Sequence, residues 1–230
     1  MKLGLLSDAH GNLIGTKKCL EFLISKRVDH LFFLGDAVGY YPDAKPTLDL
    51  LVDSKVSMLI GNHDAMMLGN LDYELSRETV YRLKGLKSLI GDRNLKLLSN
   101  LAPMKELEFD GRSLLLVHGS PWNPMLGYVY PDSDLSAFEE MSYDCVFMGH
   151  THRPFISNNA VNVGSCGLPR DVGNLLCCCI YDSEENEAKI FRIPIDRDLL
   201  RSEYETQVDS VVMECLDREA EEYCGELIYE

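Results

Sequence analysis

The chain has 230 residues, 46% of them hydrophobic and 26% charged, which is typical of a folded globular protein and excludes disordered and fibrous classes. No stretch reaches the roughly 18 uncharged apolar residues of a transmembrane helix, so no membrane partner is expected. The formal net charge of −15 argues against long nucleic acid, since an acidic surface repels a phosphate backbone, and favours a small phosphorylated substrate held through metal cations.

The first half of the chain alternates predicted strands and helices. Strands are expected at residues 2–7, 31–34 and 56–60, and helices at residues 13–26 and 44–54. This order predicts a parallel sheet with helices on its faces. Residues 65–101 are predicted to be helical, with breaks at Gly85 and Gly91.

The second half has the pattern of short strands. Residues 105–109 and 113–117 flank Asp110-Gly111, a dipeptide that favours a tight hairpin turn. The further predicted strands are residues 145–148, 155–157, 160–163, 175–181 and 188–192. We therefore predict one α/β domain of two packed sheets over residues 1–195. Residues 196–230 are acidic, have helical spacing of apolar residues, and are predicted to form a C-terminal helical extension packed on the same domain.

The eight cysteines lack the spacing of a disulfide framework in a small secreted domain. Cys177, Cys178 and Cys179 are contiguous within a predicted strand, so Cys177 and Cys179 share one face and Cys178 takes the other. Buried, reduced thiols that act as small apolar residues are expected. The N-terminal apolar run is too short for a signal peptide. These features predict a cytoplasmic protein.

Five of the six histidines lie in short polar motifs that follow predicted strands, where open α/β sheets bind their ligands. Asp8 and His10 are two residues apart, so an extended backbone would direct both to one side. A set of seven nitrogen and oxygen ligands without cysteine exceeds one closed zinc site and indicates two ions. The predicted metal ligands are Asp8, His10, Asp36, Asn62, His118, His150 and His152.

Two divalent ions about 3.5–4 Å apart suit displacement at phosphorus, because they neutralise developing charge and activate a water between them. The leaving oxygen then needs a proton. His63 lies beside a predicted ligand and is the expected donor, while Asp64 is expected to orient it and to favour its charged form. Mixed nitrogen and oxygen ligands suit manganese, iron, cobalt, nickel or zinc, of which we favour manganese.

The order of five motifs resembles the calcineurin-like metallophosphoesterases, whose pattern is D-x-H, G-D, G-N-H-[DE], a His after a strand, and G-H-T-H. The resemblance runs from Asp8 to His152. It implies a four-layer α/β/β/α sandwich, with His63 as proton donor and Asn12 close to the site. It also implies one metal held by Asp8, His10, Asp36 and His152, and a second held by Asp36, Asn62, His118 and His150.

Two departures separate the sequence from protein Ser/Thr phosphatases of that family. No arginine follows Asp36 within residues 37–43, and Asp64 stands where those enzymes use Glu. The runs at residues 35–40 and 162–171 look like small prokaryotic phosphodiesterase-type members. A phosphodiesterase is therefore the first hypothesis, with a phosphomonoesterase or a dinucleoside polyphosphate hydrolase as alternatives. A non-catalytic scaffold of the same fold is disfavoured, because every ligand and His63 are present.

Three residues are candidate substrate contacts. Arg170 lies in a Gly/Pro loop and could contact phosphate or form a structural ion pair. Tyr40 follows Asp36 closely and could stack on an aromatic group or pack in the core. Asn12 enters through the resemblance. The acidic C-terminal segment could also bind a partner or support a homo-oligomer.

Overall fold

Two mixed β-sheets pack face to face in the computed structural model, which describes residues 1–228. The strands are β1 Lys2–Leu6, β2 His30–Phe33, β3 Ser57–Met58, β4 Met104–Phe109, β5 Arg112–Val117, β6 Cys145–Met148, β7 Phe155–Ser157, β8 Ala160–Asn162, β9 Leu175–Asp182, β10 Glu187–Pro194 and β11 Glu226–Leu227. One sheet has the order β11-β10-β9-β1-β2-β3 and the other β4-β5-β6-β8-β7. Parallel pairs β1–β2, β2–β3 and β5–β6 bring the loops that follow these strands together.

Helices cover the outer faces of both sheets. They are α1 Leu13–Ser25, α2 Ala44–Asp53, α3 Asn62–Leu68, α4 Glu78–Tyr81, α5 Leu83–Leu89, α6 Gly91–Ser99, α7 Ser136–Glu139, α8 Arg197–Tyr204 and α9 Ser210–Glu214. The predicted four-layer α/β/β/α sandwich is confirmed. In the described part of the chain, no helix is both long and apolar enough to cross a membrane.

Three apolar clusters follow from the alternation of side chains along the strands. Leu5 and Leu116 belong to the cluster between the two sheets, where both are fully buried. Leu20 of α1 packs in the cluster on the outer face of the first sheet, and Phe138 of α7 in that on the second. The cysteine run alternates as predicted, since Cys178 lies in the outer cluster and Cys179 between the sheets.

The segment after β3 departs from the predicted element boundaries. The strand expected at residues 56–60 pairs only over Ser57–Met58, because the amide of Ile60 already bonds to the Ala102 carbonyl in a loop. The helical region beyond it ends first at Gly69, which has φ +86°, and resumes as three short helices. Gly85 was wrongly predicted as a break, because it lies inside α5.

The C-terminal segment is not a continuous helix. The short helices α8 and α9 bury Leu200, Tyr204 and Val212 in the outer cluster of the first sheet. The chain then crosses to the sheet edge, where β11 pairs in parallel with β10. The helical prediction fails there because pairing with β10, at the open edge of the sheet, gives the backbone N–H and C=O groups of β11 hydrogen-bond partners. The last turn of a helix would leave some of these groups without partners. Residues 229 and 230 of the predicted extension lie outside the described residues, and the domain limit at residue 195 stays a prediction.

Candidate metal centre

The seven predicted metal ligands come from the segments that follow five strands and meet in one buried cluster. The segments after β1, β2, β3, β5 and β6 carry, in that order, Asp8 and His10, Asp36, Asn62 at the start of α3, His118, and His150 and His152. None of the seven is more than 6% exposed. Buried carboxylates and imidazoles in such number need partners that compensate their lost hydration.

The backbone at this cluster is unusual. Five of the seven residues have φ between +50° and +66°, a left-handed conformation that is uncommon outside glycine; they are Asp8, His10, Asp36, His150 and His152. The expectation that Asp8 and His10 share an extended backbone is therefore wrong, although their side chains do meet. Such conformations cost roughly 1–3 kcal/mol each and concentrate at functional sites.

The loops after β1 and β2 hold each other in place. The amide of Asp8 donates to the Gly35 carbonyl at 3.0 Å, and the amide of His10 donates to the Asp36 carbonyl at 3.0 Å. Gly61 permits the next loop to approach, because a Cβ there would lie 2.1 Å from Asp36 Oδ1. The loop geometry thus requires glycine at position 61.

Backbone carbonyls fix the orientation of three imidazoles. The Nδ1 atoms of His10, His118 and His152 lie 3.0, 2.8 and 2.6 Å from the carbonyl oxygens of Val38, Leu34 and Leu168. A carbonyl only accepts, so each Nδ1 carries a proton and each ring turns its Nε2 toward the cluster. Metal-binding histidines are commonly oriented in this way.

The first group of converging atoms involves Asp8, His10 and His152. His10 Nε2 lies 3.0 Å from His152 Nε2, and Asp8 Oδ1 lies 3.4 Å from His152 Nε2. Two Nε2 lone pairs at this distance repel each other unless a cation or a proton lies between them. Asp8 Oδ1 has no hydrogen-bond partner, while Oδ2 accepts from the amide of His150.

The second group is centred on Asp36. Its Oδ2 lies 3.7 Å from His10 Nε2 and 3.5 Å from His118 Nε2, so this oxygen faces both groups. Asn62 Oδ1 lies 3.0 Å from His118 Nε2. His150 Nε2 is buried without a hydrogen-bond partner, and ligand atoms of Asp36, His118 and His150 lie within 4.8 Å of one another.

Opposite charges at close range set the protonation states of this cluster. Burial opposes ionisation of Asp8, but the neighbouring His152 lowers its pKa to about 2. Burial disfavours the charged form of His118, yet Asp36 raises its pKa to about 9. Burial lowers the pKa of His150 to about 3 and that of His10 well below its usual range. The cluster therefore contains ionised carboxylates, and a proton stands on His118 when no metal replaces it.

This donor set fits divalent cations. The buried Asp8 Oδ1 and His150 Nε2 have no hydrogen-bond partner, and a cation between His10 Nε2 and His152 Nε2 would relieve the repulsion of their lone pairs. Nitrogen and oxygen ligands without thiolate suit divalent transition metals. These buried His and Asp groups can thus bind metal.

The sequence of residues 1–186 matches the family model described as the calcineurin-like phosphoesterase superfamily domain. The chain belongs to this superfamily. Its members are metal-dependent, and membership makes this protein a metallophosphoesterase, a hydrolase of phosphoric ester bonds. The resemblance seen in the five motifs is confirmed.

Relatives cover nearly the whole phosphoesterase chain. The uncharacterized protein MJ0912 of Methanocaldococcus jannaschii is 28% identical over 236 residues, covering 93% of this chain and 95% of its own length. The metallophosphoesterase from Sphaerobacter thermophilus superposes with a TM-score of 0.78 at 23% identity, covering 94% and 99% of the two chains. The hypothetical protein PH1004 from Pyrococcus horikoshii OT3 has a TM-score of 0.79 at 18% identity, covering 99% of both. The two structural similarities establish the fold.

His63 of the phosphoesterase lies beside the cluster as predicted. Its ring centroid is 4.8 Å from that of His10, 5.0 Å from that of Tyr40 and 4.4 Å from that of Tyr81. Burial lowers the pKa of His63 to about 4, although the Asp36 carboxylate opposes this shift. The ring is therefore neutral near pH 7 in the absence of substrate and metal.

Asp64 does not contact the His63 ring, so the predicted orienting role is wrong. Its Oδ1 accepts from the amides of Ala37 and Val38 at 3.0 and 3.2 Å, and its Oδ2 accepts from those of Asp36 and Gly61 at 2.9 and 3.0 Å. Burial and the Asp36 charge raise the pKa of Asp64, while these donors oppose the rise. Four N–H donors on two oxygens favour the ionised form. Asp64 therefore ties the loop after β2 to the start of α3.

The three candidate substrate contacts have different surroundings. Arg170 Nη2 donates to the Tyr40 hydroxyl at 3.1 Å, and the Tyr40 ring packs on His10. The side chain of Tyr40 therefore separates the Arg170 charge from the cluster. Tyr40 itself is buried between His10 and His63, so the structure does not support stacking on a substrate. Asn12 caps α1 through the Gly15 amide and donates to the Gly167 carbonyl. Both polar atoms of its side chain therefore bond to the protein backbone rather than face a substrate.

Sequence reasoning missed several residues around the site. Tyr81 packs on His63, and Tyr128, which is 58% exposed, lies with its ring centroid 4.3 Å from that of His150. Arg153 directly follows the G-H-T-H motif, a position that could have flagged it. No local signal marks Tyr81 or Tyr128, because helical packing and a long loop bring them to the site.

Proposed function

We propose that this phosphoesterase is a phosphodiesterase of small molecules that works with two divalent metal ions, with manganese favoured over iron, zinc, cobalt or nickel. The position of Asp36 Oδ2, 3.7 Å from His10 Nε2 and 3.5 Å from His118 Nε2, carries the proposal. A carboxylate oxygen that faces both ligand groups can serve two ions, whereas a single ion would leave one group unsatisfied.

The two ions would have distinct ligands. One would be held by Asp8, His10, Asp36 and His152, and the other by Asp36, Asn62, His118 and His150. Bound there, the pair would lower the pKa of a water molecule and neutralise charge on the phosphoryl group. The protein's contribution is to hold the imidazoles rigidly through backbone carbonyls and to exclude bulk water by burial.

His63 is proposed as the proton donor to the leaving oxygen. Tyr40 and Tyr81 pack on its ring and fix its position beside the cluster. Because its pKa is about 4, His63 is a strong acid but is rarely charged near pH 7. The negative charge of a bound phosphate would raise this pKa toward the working pH.

The leaving group provides a direct test of the role of His63. For an alkyl phosphate ester, His63→Ala is expected to lower kcat by roughly 10²–10⁴-fold. For a p-nitrophenyl ester the loss should be far smaller, because p-nitrophenolate departs without a proton. An equal loss for both esters would contradict proton donation and indicate that His63 supports the site structurally.

A diester is favoured because the site has room beside the cluster. A cavity of about 300 Å³ is lined by Thr151, which lies between His150 and His152 in the sequence, and can accept a second ester group. A phosphomonoesterase and a dinucleoside polyphosphate hydrolase remain the alternative enzymes. A scaffold without catalysis is less favoured, since the ligand set and His63 are complete.

The deciding experiment compares bis-p-nitrophenyl phosphate with p-nitrophenyl phosphate on metal-stripped protein after manganese is restored. Metal-dependent turnover of the diester, lost in Asp36→Asn, is the expected result. Turnover of the monoester alone would replace the proposal with a phosphomonoesterase. If neither is hydrolysed although metal analysis finds two ions per chain, the result would point to a narrow natural substrate or to the scaffold.

A cytoplasmic location is also proposed, on the grounds that all eight cysteines are free thiols and six of them are buried. Such thiols persist in a reducing compartment. The remaining proposals are a homo-oligomer and residues 196–230 as an extension of the catalytic domain. Light scattering at several protein concentrations would test the first.

A further inference from the structure

Three arginines line one groove beside the metal centre, although the chain as a whole carries a net charge of −15. They are Arg153, Arg170 and Arg218, and they border both the 300 Å³ cavity at Thr151 and an adjoining cavity of about 730 Å³. Within the described residues, none of the three has a carboxylate partner at salt-bridge distance. A concentration of unpaired positive charge on an acidic protein marks a place that can bind an anion.

Each of the three guanidinium groups has a protein contact that orients it. Arg170 hydrogen-bonds to the Tyr40 hydroxyl, and its buried Nε has no partner. Arg218 Nη1 lies 3.5 Å from the carbonyl oxygen of Arg170, and the Arg153 guanidinium lies over the ring of Tyr130. Arg153 and Arg218 are exposed and therefore keep their remaining donors free for a ligand.

Two of the four acidic residues that line the groove are paired with other arginines, and the other two are Glu222 and Asp132. Asp171 is engaged by Arg192 through two contacts of 2.6 and 2.8 Å, and Glu219 pairs with Arg197 at 3.2 Å. Asp132 lines the smaller cavity together with the three arginines, which leaves an excess of two positive charges there. Guanidinium groups suit phosphate because their N–H donors match its oxygens in pairs.

Two contacts connect the groove to the metal centre. Thr151 separates two of the proposed ligands and lines the groove, while Tyr40 joins Arg170 to His63. The exposed ring of Tyr128 against His150 offers a surface on which a nucleobase can stack. A molecule whose ester phosphate lies at the metal centre can therefore extend a second charged group into the groove.

We propose that the Arg153–Arg170–Arg218 groove binds a second phosphoryl group, so that the substrates are small diesters that carry a further phosphate. This inference rests on the proposed phosphodiesterase function. In the reaction, one water adds to phosphorus, the bond from phosphorus to the leaving oxygen breaks, and that oxygen takes the proton. The second phosphate is unchanged and serves only in binding.

Two dinucleotides provide a matched pair of substrates, pApA and ApA, which share one diester bond and differ by a terminal phosphate. Hydrolysis converts pApA into two molecules of pA, and ApA into adenosine and pA. We expect the wild-type protein to use pApA with a kcat/KM roughly 10- to 100-fold above that for ApA, as charge-assisted contacts to one phosphate allow. The double variant R153Q/R218Q should lose most of this preference, measured as the ratio of the two kcat/KM values within the same variant.

The control variant R27Q/R93Q removes the same charge from two exposed arginines, at the end of α1 and on α6. It should retain the preference for pApA. Equal use of the two dinucleotides by the wild-type protein, or an undiminished preference in R153Q/R218Q, would overturn the inference. A similar loss in R27Q/R93Q would also overturn it, because overall charge would then explain the effect.

The failure of this inference can be separated from failure of the proposed function. If bis-p-nitrophenyl phosphate is hydrolysed but neither dinucleotide is, pApA and ApA are compared as inhibitors of that hydrolysis. Stronger inhibition by pApA that is lost in R153Q/R218Q would support the inference, and equal inhibition by the two dinucleotides would overturn it. If bis-p-nitrophenyl phosphate is not hydrolysed, the phosphodiesterase proposal fails. Titration calorimetry of pApA and ApA on the wild-type and double-variant proteins then decides whether the groove binds phosphate.

Discussion

Asp64 is predicted to be a major source of stability, and its removal is expected to destabilise the metal-free protein by about 4 kcal/mol. Its carboxylate accepts four backbone N–H groups in a fully buried position. A buried donor left without an acceptor costs roughly 1–3 kcal/mol. The lower limit applies in Asp64→Ala, because water can enter the vacated space and repulsion between Asp64 and Asp36 disappears.

Asp64→Asn is the graded comparison. The amide keeps one acceptor oxygen and turns an NH₂ group toward the other pair of donors, so about half of the loss, roughly 2 kcal/mol, is expected. Asp72→Ala is the control, because Asp72 is exposed and changes at such positions usually alter stability by less than about 0.5 kcal/mol. The measurement is urea unfolding at pH 8 with a chelator present, which keeps Asp64 ionised and removes any contribution from metal binding.

Two results would refute this reasoning. If Asp64→Ala and Asp64→Asn unfold at the same urea concentration as Asp72→Ala, the four hydrogen bonds do not stabilise the loops. If the same variants instead shift only the pH dependence of turnover, Asp64 acts through His63, as the sequence alone had predicted. A change in the urea dependence itself would show altered compactness, and the free energies would then not be comparable.

Three further predictions follow from the buried histidines, the C-terminal contact and the thiols. Burial lowers the pKa of His63 to about 4 and that of His150 to about 3, so the unfolded chain binds more protons than the folded chain at acidic pH. The metal-free protein should therefore lose stability as pH falls from about 6.5 to 4. In urea unfolding, the stability of H63Q/H150Q should depend less on pH. Gly173→Ala should displace the C-terminal segment, because a Cβ there would lie 1.9 Å from the Cys215 carbonyl oxygen, and the preference for pApA should fall while bis-p-nitrophenyl phosphate turnover persists. A thiol reagent should modify at most two cysteines of the native protein, Cys215 and Cys224, and all eight after unfolding.

The fold was predictable because its signals are local. Alternating apolar positions mark the strands, and the Asp110-Gly111 turn lies between β4 and β5 as the sequence indicates. The shortening of the strand predicted at residues 56–60 to β3, and the existence of the strand β11, were not predictable. Their pairing depends on which edge of a sheet is open, and that information lies in the tertiary arrangement rather than in the segment.

The candidate site was only partly predictable for the same reason. The proposed ligands could be identified because each motif follows a predicted strand. All seven side chains lie in one buried cluster of the structure. The role of Asp64 was misjudged because adjacency in sequence suggested contact with His63, whereas α3 turns the carboxylate toward the neighbouring loop. The groove was missed because Arg153 and Arg218 are 65 positions apart and only the C-terminal segment brings them together.

The loops explain why this site can exist before any metal binds. Left-handed backbone at Asp8, His10 and Asp36 is unfavourable in an isolated chain, so the conformation must be imposed by its surroundings. Those surroundings are amide-to-carbonyl bonds between two loops and the Asp64 carboxylate across a third. Since all of these partners belong to the folded chain, the cost is met during folding rather than during metal binding. A preorganised site of this kind binds its ions with little further ordering, and a variant that loosens the loops should lower metal affinity even when every proposed ligand is retained.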